Sequence, residues 1–201
     1  MTYVLSAIEI REQCVDAAQI GNELTSIVLT TEQIDTRIRE IAAEIDKDYA
    51  SAEKPVLMVG VLKGAVMVMA DLARAVSIPV EFDFMAVSSY GSGTKSSGVV
   101  RIIKDLDIDL AGRDVLIVED ILDSGLTLSW LIKNLKSRHP KSVEVMTMMR
   151  KPDAIKVEVP AKYIGFDIPN EFVVGFGLDY AEKYRNLREV GILASHVYGG
   201  E

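Results

Sequence analysis

Val115-Leu-Ile-Val-Glu-Asp-Ile-Leu-Asp-Ser-Gly-Leu-Thr-Leu128 is the stretch that decides how this chain folds. Val115 to Val118 is a short apolar, β-branched run after the turn signal Gly112-Arg113-Asp114. Such a run is expected as a buried central strand. Leu128, Leu131, Ile132 and Leu135 then recur at helical spacing, with Trp130 beside them, which predicts a helix. Asp123-Ser-Gly-Leu-Thr127 lies between strand and helix. Free backbone amides at a helix N-terminus, the Ser124 and Thr127 hydroxyls and a flexible Gly125 make a cradle for an anion.

Glu119 and Asp120 sharpen this reading. They are expected at the carboxyl end of the strand, where ligands bind in open α/β sheets. Acids repel a phosphate, so they face something else. A vicinal diol offers two hydroxyl donors, and a carboxylate is a pure acceptor. A phosphate on the loop and a diol on the acids together describe a ribose 5-phosphate. The bland alternative is a capped helix, with Asp123 as N-cap and the two acids solvated at a strand end. It suits Asp123 taken alone. It suits the whole run poorly, because two adjacent acids ending a buried strand cost stability without a partner.

Val118-Glu-Asp-Ile-Leu-Asp-Ser-Gly-Leu-Thr127 resembles the phosphoribosyl pyrophosphate (PRPP) binding motif of type I phosphoribosyltransferases, in the form closest to the hypoxanthine-guanine branch. A Walker A reading does not compete, since no Gly-Lys-Ser/Thr follows the strand. The resemblance implies an α/β fold with a mostly parallel central sheet flanked by helices, a small hood subdomain and a flexible hairpin lid. It also implies that Glu119, Asp120, Ser124, Gly125, Leu126 and Thr127 hold the phosphoribosyl group.

The chain has 201 residues, which suits one domain with a full core, extended by a small subdomain. The net charge of −8 argues against a general affinity for nucleic acid or anionic membrane. A polyanionic substrate then needs local Lys, Arg or a divalent cation. The single Cys14 excludes an internal disulfide and fits a reducing cytosol, so a cytoplasmic location is expected. No apolar run approaches ~18 residues, so no transmembrane span is expected. The start, Met1-Thr-Tyr-Val-Leu-Ser-Ala-Ile-Glu9, lacks the basic and apolar regions of a secretory signal.

Residues 1–50 carry ten acidic side chains against Arg11, Arg37, Arg39 and Lys47. Thr30-Thr31-Glu-Gln33 reads as a helix start, and Ile34, Ile38, Ile41 and Ile45 give the apolar stripe of a scaffold helix to about Tyr49. Residues 1–22 are an N-terminal arm to which no chemistry is assigned. Val56-Leu-Met-Val59 predicts a second buried strand. A helix over 65–76 follows, with Val66, Met69, Ala70 and Ala73 expected to face inward. Leu62-Lys63-Gly64 therefore falls at another strand-to-helix junction. It resembles the family's pyrophosphate loop, whose Leu–Lys peptide is typically cis.

Val80 to Val87 and Val99 to Ile103 predict paired strands around a Gly- and Ser-rich segment. A mobile hairpin loop is the bland reading of 88–98. The functional one is a lid that excludes water from an activated ribosyl centre. Ser89-Tyr90-Gly91 resembles the Ser-Tyr element of the family's flexible loop. Later strands are expected at Val143 to Met149, Tyr163 to Phe166 and Phe172 to Phe176, with an edge strand at Val190 to Leu193.

Lys151, Phe172, Val173, Asp179 and Arg185 match the family's later motifs in order and spacing. By resemblance, Lys151 donates to the exocyclic oxygen of a 6-oxopurine, which suits a cation that cannot accept from an adenine amino group. Phe172 stacks on the ring, and the Val173 backbone bonds the Watson–Crick edge. Asp179 lies by the base and holds Mg²⁺ on the pyrophosphate, with Glu119 and Asp120 as further metal ligands. Arg185, with Leu62, Lys63 and Gly64, meets the pyrophosphate. Asp123 serves N7 of the base as general acid/base. His139 and His196 lack metal-ligand spacing.

The resulting expectation is a Mg²⁺-dependent pentosyltransferase of purine salvage. It joins PRPP to hypoxanthine or guanine, giving IMP or GMP and pyrophosphate. The family implies a homodimer or homotetramer. Three other readings stay open. One is the same chemistry on xanthine or a pyrimidine. Another is a non-catalytic PRPP or nucleotide sensor, although the acidic first 50 residues supply no nucleic-acid surface. The third is a subunit of a PRPP synthetase, for which no ATP site is visible.

Overall fold

The computed structural model describes residues 17–90 and 99–199, with Ser89, Tyr90 and Val99 described by their backbone only. Two compact units divide them: 35–170, and 17–34 with 171–199.

The larger unit is built on a six-stranded sheet in the order β4-β3-β2-β5-β6-β7. Its strands are β2 (Val56–Leu62), β3 (Val80–Tyr90), β4 (Val99–Lys104), β5 (Asp114–Leu122), β6 (Ser142–Arg150) and β7 (Tyr163–Asp167). All neighbours are parallel except β3 and β4. Parallel strands need helical crossovers, which cover both faces of the sheet. Val56 to Val59 and Val115 to Val118 are accordingly buried on both faces.

Helix α1 (Thr31–Asp48) starts as the sequence predicts. The Thr30 amide donates to Gln33 Oε1 at 2.9 Å, and the Gln33 amide donates to Thr30 Oγ1 at 3.3 Å, a reciprocal capping box. The stripe Ile34, Ile38, Ile41 and Ile45 is buried. Its Arg37 donates to the Ile164 and Gly165 carbonyls of β7 at 2.9 and 3.2 Å. Helix α2 (Val66–Ala75) buries Val68, Met69 and Leu72. Of the inward face expected for it only Met69 holds: Val66 and Ala70 are exposed, and Ala73 is half-buried. Ala and Val at those positions fit either face, so the long Met69 and Leu72 side chains decide the rotation.

Helix α3 (Leu126–Lys136) buries Leu128, Leu131, Ile132 and Leu135, as its spacing predicts. They pack against Leu57, Val59, Val115, Ile117 and Val145 of the sheet. Burial of one such side chain is worth about 1.5–3 kcal/mol, so this stripe alone fixes α3 on the sheet.

In the smaller unit, β1 (Leu24–Leu29), β9 (Val190–Leu193) and β8 (Val173–Val174) form an antiparallel sheet in the order β1-β9-β8. The strand at Val190 to Leu193 is therefore the central one, not an edge, because β1 pairs along its second side. β1 carries no strand signal of its own: Leu24-Thr-Ser-Ile-Val-Leu29 has no clean alternation. A short helix α4 (Ser195–Tyr198) follows β9. Val174, Tyr184, Leu187 and Leu193 form this unit's own core. Among the described residues no helix is long and apolar enough to cross a membrane.

Candidate active site

Three neighbouring parallel strands of the larger unit end in the residues the sequence singled out. β2 ends at Leu62 and delivers Lys63-Gly64; β5 ends at Leu122 and delivers Asp123 to Thr127; β6 ends at Arg150 and delivers Lys151. All three termini point the same way because β2, β5 and β6 are parallel, and this is the sheet edge where α/β ligands bind.

Glu119 and Asp120 do not end β5. The strand continues through Leu122, because Glu119, Ile121 and Leu122 pair with Thr147, Met149 and Arg150 of β6. Both acids are buried. Asp120 Oδ1 accepts the Ile121 amide at 2.8 Å. Burial pushes the Glu119 carboxyl well above its ordinary range, and the neighbouring Asp120 charge adds to the shift. Such a pair is relieved by hydroxyl donors or a cation.

Gly64 lies directly against this pair. A Cβ at Gly64 would fall 1.7 Å from Asp120 Oδ2, so only glycine lets β2's terminal loop approach the acid. The Leu62–Lys63 peptide is cis, as the resemblance implies.

The loop after β5 turns on Gly125, which is the N-cap residue of α3 in the left-handed region, at φ 77°. A Cβ there would meet the Val157 carbonyl at 2.2 Å. Asp123 is therefore not the N-cap, and its side chain stands exposed at the sheet edge. The Ser124 carbonyl accepts the Lys156 and Val157 amides at 3.0 and 3.2 Å, which anchors the loop from outside. Ser124, Leu126 and Thr127 are half-buried around it. Lys151 is buried, its amide donates to the Leu122 carbonyl at 3.0 Å, and its Nζ stands 3.9 Å from Asp123 Oδ2. The structure thus gathers Gly64 with Asp120, and Asp123 with Lys151.

The remaining candidates lie in the smaller unit. Val173 is buried in β8, and Phe172, one residue earlier, is 40% exposed. The Phe172 carbonyl accepts the Leu193 amide at 2.9 Å. Asp179 and Arg185 are paired: Arg185 Nη2 lies 2.8 Å from Asp179 Oδ1, and Nη1 donates to the Gly177 carbonyl at 2.8 Å. They sit on a segment in which Phe176, Ala181, Glu182 and Tyr184 all have positive φ. Non-glycine residues in that region are concentrated at ligand clamps. Tyr180 and Tyr198, which meet Phe172, carried no signal in the sequence because their spacing follows no period.

Ser89 and Tyr90 lie at the end of β3, where Tyr90 pairs with Val99 of β4. The lid segment 91–98 and arm residues 1–16 lie outside the described residues. Ala17–Glu23 is a 3-10 segment kinked at Gly21.

Among the described residues no three His, Cys, Asp or Glu side chains cluster to hold a metal ion unaided. Mg²⁺ needs no such cage: one or two carboxylates, water and substrate phosphate oxygens suffice. The buried acid pair on β5, and Asp179, supply donors of that kind.

The family description "Phosphoribosyl transferase domain" matches residues 25–181. The hypoxanthine-guanine phosphoribosyltransferase of Mycobacterium tuberculosis (strain CDC 1551 / Oshkosh) is 58% identical over 180 residues, 88% of this chain and 89% of that protein. The protein of the same name from Bacillus subtilis (strain 168) is 46% identical over 177 residues, 88% of this chain and 97% of that one. A crystal structure of a hypoxanthine phosphoribosyltransferase from Staphylococcus aureus superposes with a TM-score of 0.86 at 45% identity, covering 92% of this chain and 99% of that one.

Proposed function

This chain belongs to the phosphoribosyl transferase domain family, and from that premise we propose that it transfers the 5-phosphoribosyl group of PRPP to hypoxanthine and guanine. The products are IMP or GMP and pyrophosphate, a reaction of purine salvage. The observation that carries the reading is the 3.9 Å approach of Lys151 Nζ to Asp123 Oδ2. A 6-oxopurine presents O6 and N7 side by side on one edge. A cation and a carboxyl group at that separation serve both atoms at once.

Asp120 and Glu119 accept the ribose hydroxyls, and Ser124 to Thr127 cradle the 5-phosphate at the start of α3. Lys63, Gly64 and Arg185 receive the pyrophosphate. Phe172 supports the base, and the Val173 backbone meets its Watson–Crick edge. As the bond from C1′ to pyrophosphate breaks, the electron pair leaves with the pyrophosphate and C1′ becomes oxocarbenium-like. N9 of the base donates its electron pair to C1′. Asp123 holds or moves the proton at N7, so that the attacking nitrogen stays nucleophilic. Lys63 and Arg185 stabilise the negative charge of the leaving group. The Glu119–Asp120 pair, and separately Asp179, would hold Mg²⁺ through one or two carboxylates each, with water and phosphate oxygens, and the ion would supply charge neutralisation of the pyrophosphate oxygens. Ser89 and Tyr90, at the end of β3, help keep water from C1′. The protein acts in the cytoplasm as a homodimer or homotetramer, without nucleic acid or membrane.

The test is a product assay with purified protein, PRPP and either hypoxanthine, guanine, xanthine, adenine or uracil, with and without Mg²⁺. Mg²⁺-dependent IMP and GMP are expected, with no product from adenine or uracil. Turnover of xanthine alone would change the substrate. PRPP binding without turnover of any base would leave the sensor reading instead.

A further inference from the structure

Phe172 does not stand alone in the smaller unit. The Tyr198 ring stacks on it, with centroids 5.0 Å apart and planes inclined by 26°. Tyr180 meets it edge-on, at 5.8 Å and 87°. Tyr180 and Tyr198 are themselves only 6.3 Å apart. Were the two tyrosines on opposite faces of Phe172, their centroids would be separated by far more than that. The two tyrosines are therefore not directly opposite one another across Phe172, which remains 40% exposed.

The stack is anchored at its base. The Leu193 amide donates to the Phe172 carbonyl at 2.9 Å, which ties the end of β9 to the residue carrying the ring. The Ala194 amide donates to the Glu23 carbonyl at 2.8 Å, holding the entry to α4. Val197 packs on the small core of Val174, Tyr184, Leu187 and Leu193. Within that frame Tyr198 itself is 39% exposed, so burial of its own ring does not account for its position.

We propose that Tyr198 is a positioning residue for the purine base: it backs Phe172 on one face and fixes the ring plane on which the base stacks from the other. This rests on the reading of Phe172 as the base platform. A Phe ring free to turn about its χ angles offers an incoming base many orientations and loses entropy on binding. A ring already held in an offset stack with Tyr198 and edge-on to Tyr180 has lost that freedom beforehand. Base, Phe172 and Tyr198 then form a continuous three-ring stack, with the tyrosine never touching the base. Such a residue acts on base affinity and leaves the chemistry at C1′ unchanged.

The experiment uses the full chain and compares Tyr198→Ala, Tyr198→Phe, Tyr198→Leu and Phe172→Ala in steady-state kinetics with hypoxanthine and PRPP. Aromatic pairing of this kind is expected to raise the KM for hypoxanthine by about 2- to 10-fold in Tyr198→Ala. The kcat and the KM for PRPP are expected to stay put, and Tyr198→Phe to restore the wild-type KM. Tyr198→Leu keeps bulk without a ring, and a raised KM there assigns the effect to stacking. A wild-type hypoxanthine KM in Tyr198→Ala, beside a raised one in Phe172→Ala, would overturn the inference alone. An unchanged KM in Phe172→Ala would overturn the platform reading and the inference with it. A loss of kcat in Tyr198→Ala that Tyr198→Phe does not rescue would also overturn it.

Discussion

Lys151 Nζ lies 3.9 Å from Asp123 Oδ2, and the two side chains differ in surroundings: the lysine is buried at the end of β6, while the aspartate stands exposed at the end of β5. A buried cation needs an acceptor. Asp123 is near enough to supply charge but too far for a tight hydrogen bond. A third group reaching both atoms would be held by the cation and the carboxylate together.

Asp123→Asn keeps shape and removes the titrating proton. Turnover is expected to fall by roughly 10²–10⁴-fold, with IMP binding largely intact. Stopped assays for kcat and calorimetry for IMP check it. Near-normal turnover would remove Asp123 from the mechanism.

Lys151→Met replaces a buried ammonium with an apolar chain of similar length. A lost charge-assisted hydrogen bond predicts a rise of roughly 10- to 100-fold in the KM for hypoxanthine. The KM for PRPP should hold. A rise for PRPP with none for the base would place Lys151 on the wrong substrate.

Gly64→Ala pushes a methyl group into Asp120, 1.7 Å from Oδ2. Displacing the acid is expected to cut kcat/KM for PRPP by roughly 10²-fold. The crowding is expected to cost about 1–3 kcal/mol of stability. Unchanged kcat/KM would mean that the position of Asp120 does not matter to the phosphoribosyl group.

Asp83 tests the scaffold by pH. It is buried on β3 and accepts the Phe84, Asp107 and Ile108 amides at 2.7, 2.7 and 3.2 Å, and Lys104 Nζ at 3.3 Å. Burial pushes its carboxyl up, but these donors outweigh burial and hold it below the usual carboxylate range. The unfolded chain therefore binds the proton more readily, so the stabilisation is present above about pH 4 and is lost as pH falls through the folded value. Asp83→Asn is expected to cost about 1–3 kcal/mol at neutral pH. That gap should narrow in urea unfolding near pH 3. A gap independent of pH would disprove the ionic contribution.

The reach of the sequence is visible element by element. Val115 to Thr127 and the leucines of α3 announced a strand, a loop and a helix in that order, because burial on one helix face and on both strand faces leaves distinct periods. The capping box at Thr30 and Gln33 was legible for the same local reason. Lys63, Asp123 and Lys151 could be assigned to strand ends, since each follows an apolar run directly.

Non-local pairing was not legible. β5 runs past Glu119 and Asp120 only because β6 continues beside it, and that pairing buries the two acids within a strand. The strand at Val190 to Leu193 became central only through β1. α2 took its rotation from the core it packs on. Tyr198 meets Phe172 because β9 and α4 carry it there, and no local period encodes which ring another ring will find. The sequence by itself determined the strands and helices of the larger unit, their order and the chemistry at the strand ends. The tertiary structure decided which of those groups are buried, which carboxylate meets which glycine and which tyrosine backs Phe172, since such contacts depend on chain segments far apart whose side chains compete for the same space.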